Sequence, residues 1–153
     1  MKYQLQIWEN NPILRSISDP IDRITPEIKT FAQDLMRLMH EWDGVGLASP
    51  QVWRNIRMIA VTKWRKNKIV KDMIMINPRI VETSSHTELW EEACLSLPEI
   101  FGDVRRYTHI VVEYQDINWN HQERKFKHMD ARVIQHEIDH LDGVLFIDRV
   151  EKK

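Results

Sequence analysis

A chain of 153 residues, 42% of them hydrophobic, is long enough for one domain around a single core, and its six Trp, three Tyr and four Phe argue against disorder. Lys and Arg number 22 against 23 Asp and Glu, a formal net charge of -1, so no global field draws in nucleic acid or anionic lipid. The N-terminal stretch MKYQLQIWENNP lacks an apolar run of signal-peptide length, and no segment approaches the ~18 apolar residues of a membrane span, so a cytoplasmic location is expected.

In chain order, Thr25-Pro26-Glu27 reads as a helix cap followed by Pro at the first helical position. Ile28, Phe31, Leu35, Leu38, Met39 and Trp42 then recur at helical spacing, which predicts a helix over 26–42 ended by Asp43-Gly44. The period changes in the middle of the chain: 57–62, 73–76 and 110–114 are short apolar runs bounded by polar turns and are expected as strands. Asp116 to Asn120 separates Val111–Tyr114 from Arg124-Lys125-Phe126, predicting a hairpin whose turn lacks the usual Gly. Asp130 is expected to cap a second helix that runs through Leu141 and stops at Gly143, with Val133, Ile134, Ile138 and Leu141 on its buried side. No repeat, linker or low-complexity tract divides the chain, so 1–153 is expected as one α+β domain.

His136 and His140 are four residues apart, so on a helix both imidazoles project from one face, as two ligands of one metal must. Glu137 lies on the same turn, close enough to take a proton from water that the metal activates. A merely solvated charged face would not be flanked by Ile134, Ile138 and Leu141, because unpaired imidazoles and a carboxylate near a core are costly without a metal. An open catalytic site needs a third protein ligand. Metzincin proteases add a His in HExxHxxGxxH, but Phe146 stands at that position; a thermolysin-like Glu needs a later helix, and after His140 only a short stretch ending in the charged tail 149–153 follows. The remaining soft ligand is Cys94, the only cysteine, which cannot form an internal disulfide.

Three segments together resemble the peptide deformylase family: 44–51, GVGLASPQ; 92–96, EACLS; and 135–143, QHEIDHLDG. Weaker similarity reaches Asn11–Arg15, Ile76-Asn77-Pro78 and the closing 143–148. The resemblance implies antiparallel strands packed around a central C-terminal helix, with an N-terminal helix. It implies that Cys94, His136 and His140 hold one divalent metal, Fe2+ first, with Zn2+, Ni2+ or Co2+ as substitutes. It makes Glu137 the general acid and base, and Gln51 and the backbone N–H of Leu95 the oxyanion donors.

The family's substrate is a nascent chain beginning with N-formylmethionine, cleaved to formate and a free N-terminus. By the same matching, Met129 and Val133 would line a methionine pocket, with Val45, Gly46 and Phe101 opposite, and the peptide would add as a strand beside Val45 and Gly46. A monomer is expected that meets the ribosome transiently and binds neither nucleic acid nor membrane. The chain resembles compact members without a long C-terminal extension, viral ones included, for which the compartment is the host cytoplasm. Two other functions are open to an HExxH chain: a metallopeptidase, and a metal-stabilised peptide-binding homologue with weak turnover. Three positions depart from the family pattern: Ala93 for a glycine before Cys94, Ser49 for an alanine, and Asn118-Trp119-Asn120 for a turn that often carries glycine. Ala93 strains the loop if that position needs φ > 0.

Overall fold

The computed structural model describes residues 3–65 and 68–151, so Met1 and Lys2 of the N-terminal stretch and Lys152 and Lys153 of the charged tail lie outside it. Helix α1 covers Pro26–Glu41, and the Thr25 side chain accepts from the Ile28 N–H, as the Thr-Pro-Glu signature requires. Strands β1 (Gly46–Ala48), β2 (Met58–Arg65), β3 (Lys68–Thr83), β6 (His109–Gln115) and β7 (His121–Lys127) form one antiparallel sheet in the order β1-β2-β3-β6-β7. Strands β4 (Thr87–Cys94) and β5 (Leu97–Tyr107) form a separate hairpin, and helix α2 covers His128–Leu141.

Successive strand side chains point to opposite faces, and β2 uses both. Met58 and Ala60 join Leu47, Phe31, Leu35 and Met39 in a core against α1. Ile59 and Val61 join Met75, Val112, Ile134, Ile138 and Leu141 in a core against α2. The sheet is thus layered between the two helices. A third cluster, Leu14, Leu97, Val104, Leu145 and Phe146, packs the β4–β5 hairpin against the chain that follows α2. The metal-motif helix is thereby enclosed on every side, and every residue from Arg132 to Leu141 except Val133 is buried.

Helix α2 begins two residues before the Asp130 cap expected from the sequence: Lys127 occupies the cap without a side-chain bond, and Asp130 falls inside the first turn. A carboxylate there meets the positive end of the helix dipole, so Asp130 still suits the N-terminus though it does not start it. At the other end Gly143 takes φ 73°, and a Cβ on it would lie 2.5 Å from the Arg15 carbonyl oxygen.

The hairpin turn manages without glycine: the Asp116 carboxylate accepts from the N–H groups of Asn118 and Asn120, and Trp119 takes the left-handed conformation at φ 64°. Ala93 is not among the positive-φ residues and sits in β4, so its methyl group meets no backbone strain. The extra hydroxyl of Ser49 is buried and donates to the Met58 carbonyl at 2.9 Å.

Candidate metal centre and substrate cavity

Three elements converge on one point. α2 brings His136, Glu137 and His140; the end of β4 brings Cys94; and a 3-10 turn, Ser49–Val52, brings Gln51. One ligand atom from each of Cys94, His136 and His140 lies within 4.8 Å of the other two. The Cys94 Sγ is 3.4 Å from His140 Nε2, and the two imidazole rings stand 5.2 Å apart at 66°. No other cluster of this kind occurs among the described residues.

The electrostatics of this point favour a cation. Burial alone would lower the His136 imidazole, yet hydrogen bonds with Cys94 and Glu92 raise it to about 10. Burial, joined by the charges of His136 and Arg106, holds His140 well below the usual histidine range, leaving it neutral and free to donate a lone pair. Glu137 Oε2 and His140 Nδ1 are buried without a hydrogen-bond partner among the described residues, a cost that a protein carries where chemistry uses the group. A thiol, two imidazoles and this charge preference together fit a divalent metal of the Fe, Zn, Ni or Co class.

The groups around the cluster are oriented by the backbone. Gln51 Oε1 accepts from the Ala48 N–H at 2.9 Å, which turns Nε2 outward to donate to Ser96 Oγ at 3.0 Å and approach Cys94 Sγ at 3.8 Å. Glu137 rests on Gly46, where a Cβ would sit 2.7 Å from both its Cγ and its Oε1, so only glycine leaves that space. Burial pushes the Glu137 carboxyl up to about 7 against the opposing charge of His136, a value at which the group both accepts and returns a proton near neutrality.

Behind the cluster lies a charged network that sequence reasoning missed. Glu92 Oε1 faces His136 Nδ1 at 2.8 Å, and the same carboxylate accepts from Arg106 at 2.9 and 3.0 Å and from Arg132 at 2.7 Å. With Nδ1 so engaged, His136 has Nε2 left for a metal. The sequence held no local signal for it: β4 does not read as a strand, and only the fold brings Glu92 to the His136 ring. Phe146, at the position where a metzincin carries its third His, instead stacks on the His136 ring at 6.0 Å and 23°.

The cluster opens into a cavity of roughly 530 Å³. Val45, Gly46, Gln51 and Leu95 line it from one side, Met129, Val133, His136 and Glu137 from α2, and Cys94 with Glu91 from β4. His140 lies deeper, 1% exposed. Phe101 is not in the wall: it is an exposed side chain on β5 opposite the irregularity between Glu92 and Cys94, where the register turns it away. Strand β1 hydrogen-bonds β2 on one side only, and it ends the sheet beside this cavity.

Comparison with known proteins agrees over nearly the whole chain. The family model described as polypeptide deformylase matches residues 5–153. A peptide deformylase 2 of Gloeobacter violaceus is 44% identical over 92% of this chain and 75% of its own length. The crystal structure of a peptide deformylase from Thermotoga maritima superposes with a TM-score of 0.92 at 36% identity, covering 99% of both chains. A peptide deformylase from Acinetobacter baumannii, solved with Met-Ala-Ser bound, gives 0.89 at 32% identity over 98% of this chain and 99% of that one.

Proposed function

The chain belongs to the polypeptide deformylase family, whose metal-dependent hydrolysis removes the formyl group from an N-terminal formylmethionine, and we propose that Cys94, His136, His140, Glu137, Gln51 and Leu95 perform it here. The observation that carries this assignment is the convergence of the thiol and both imidazoles beside Glu137 and Gln51 on a cavity. Cys94, His136 and His140 hold the metal, Fe2+ in the native state, with Zn2+, Ni2+ or Co2+ able to use the same donors. Bound there, the metal supplies Lewis acidity, activating water and polarising the formyl carbonyl.

The remaining steps belong to the chain's own groups. Glu137 takes a proton from the attacking water, then hands it to the peptide nitrogen, because an amine anion is too poor a leaving group to depart unprotonated. The carbonyl oxygen turns anionic when water adds to the formyl carbon. Gln51 Nε2 and the Leu95 backbone N–H donate to it, and the Ala48 contact that fixes Oε1 spares Gln51 any reorganisation. The open side of β1 pairs with the peptide backbone, and the methionine side chain enters beside Met129 and Val133, with Val45 and Gly46 opposite. A backbone-read peptide leaves residues beyond the methionine loosely selected, which suits a substrate class as broad as nascent chains. That the Acinetobacter relative was solved with Met-Ala-Ser bound supports a peptide as the ligand class.

Among the described residues no helix is long and apolar enough to cross a membrane. A free thiol ligand works only where it stays reduced, which favours a cytoplasmic location; the protein acts there as a monomer on nascent chains as they leave the ribosome. The test is formate release from formyl-Met-Ala-Ser by Fe2+-loaded protein handled without oxygen, with Glu137→Gln as a variant that keeps the metal and loses turnover. Protein that binds the metal through all three ligands and liberates no formate would overturn the assignment.

A further inference from the structure

Arg149 is outside the cavity and takes no part in the steps above, yet it ends an unbroken line of charged hydrogen bonds that begins on the His136 ring. Its Nε and Nη2 donate to the two oxygens of Asp139 at 2.7 and 3.0 Å. Asp139 also accepts from Arg106 Nη1 at 2.6 Å, and Arg106 holds both oxygens of Glu92, whose Oε1 faces His136 Nδ1 at 2.8 Å. Asp139, Arg106 and Glu92 are nearly sealed from solvent, with side chains 12%, 4% and 5% exposed, whereas Arg149 is 48% exposed.

We propose that Arg149 is a positioning residue for the metal centre, acting on His136 through Asp139, Arg106 and Glu92; this rests on the ligand set assigned above. Two buried carboxylates, Asp139 and Glu92, share the guanidinium of Arg106, and Glu92 has a second cation in Arg132. Arg149 supplies Asp139 with its own cation, so Arg106 stays on Glu92, and Glu92 stays fixed on Nδ1 of His136 with Nε2 presented to the metal. Without Arg149, Asp139 is a buried carboxylate left with one of its three side-chain hydrogen bonds, and it draws Arg106 toward itself.

The same short turn acts on that ring a second time. Phe146 and Arg149 open and close the 3-10 turn Phe146–Arg149, and Phe146 stacks on His136.

The experiment uses zinc-loaded protein, with zinc release to a chelator and the imidazole N–H signal of His136 in nitrogen-15 spectra as readouts. Arg149→Met keeps the aliphatic stem and removes the donors. It should speed zinc release about tenfold, the range for loss of a ligand's supporting hydrogen bond, and move the His136 Nδ1–H proton upfield with KM for formyl-Met-Ala-Ser unchanged. Arg149→Lys, which keeps the charge but one donor head, should recover part of both changes. Arg15→Met cuts a different tie to the same turn, Arg15 Nη1 to Asp148 at 2.6 Å, and should leave both readouts as in the parent protein. Zinc release and imidazole signal unmoved by Arg149→Met, or moved equally by Arg15→Met, would overturn the proposal while leaving the ligand set intact. If zinc fails to perturb His136 and His140 in the parent protein, the ligand set and this proposal both fall.

Discussion

Gly46→Ala is the sharpest probe of the proposed catalytic geometry, because the obstacle it meets is a single group, the proposed general base Glu137. Gly46 does not hold a positive φ, so alanine fits the backbone there without strain. Its new Cβ would lie 2.7 Å from Glu137 Cγ and Oε1 and 2.9 Å from Cδ, where carbon atoms normally settle at roughly 3.5–4.0 Å. Glu137 is 5% exposed and backed by α2, so it yields by sliding along the cavity, by about 1 Å. A displacement of that size costs a proton-transfer group on the order of 100-fold in rate, or about 2.7 kcal/mol in the barrier. The assay is steady-state formate release with metal content measured on the same sample: kcat should fall about 100-fold while the metal stays bound. A kcat equal to the parent's, with any loss confined to KM, would refute the reasoning, since it would mean that Gly46 serves peptide pairing and not the seat of Glu137.

Three further outcomes follow from the same contacts. Gln51→Glu keeps an oxygen for the Ala48 N–H but removes the outward amide donor, so kcat should drop about 10²–10³-fold at constant metal content; near-normal turnover would remove Gln51 from the oxyanion site. Ala93→Gly should leave turnover unchanged and lower stability by about 0.5–1 kcal/mol, because the strand position needs no left-handed backbone; a higher melting temperature would reveal strain at Ala93. Burial alone would raise the Glu92 carboxyl, but hydrogen bonds from His136 and Arg106 bring it down to about 2. A depressed folded-state value means that Glu92 lends its full stability above its ordinary range near 4.5 and loses it as the pH falls toward 2. Urea midpoints of metal-free protein should therefore decline between about pH 5 and pH 3, and Glu92→Gln should flatten that decline.

What the sequence disclosed follows from where its signals are local. The Thr-Pro-Glu cap and an apolar stripe place α1 to within a residue; the run at 57–62 reads as a strand because each of its faces is buried against a helix, and the run at 110–114 because Ile110, Val112 and Tyr114 bury one face toward α2. The β4–β5 hairpin is silent for the opposite reason. TELWEEAC carries three Glu, and LPEIFGDVRRY carries both Pro and Gly, since these strands bury charged groups around the metal helix in place of an apolar face. Phe101 shows the limit of matching by position: a strand side chain changes sides with one residue of register, and β5 meets β4 there at an irregularity.

The charges on α2 explain why one helix can be both the centre of the fold and the centre of the chemistry. Its face from Arg132 to His140 buries two histidines, Glu137, Arg132, Gln135 and Asp139, a composition that ordinarily belongs to solvent. Arg132 is spent on Glu92 and backbone carbonyls, Gln135 on the Tyr107 backbone, and Asp139 on Arg106 and Arg149. Those three polar groups bolt the helix to β4, β5 and the closing turn. Glu137 Oε2 and His140 Nδ1 are what the accounting leaves open, and both belong to residues flanking the thiol. The helix is therefore held rigid by Arg132 and Gln135 ahead of the HExxH motif and by Asp139 within it, so that Glu137, His140 and the Nε2 of His136 are left for a proton and a metal.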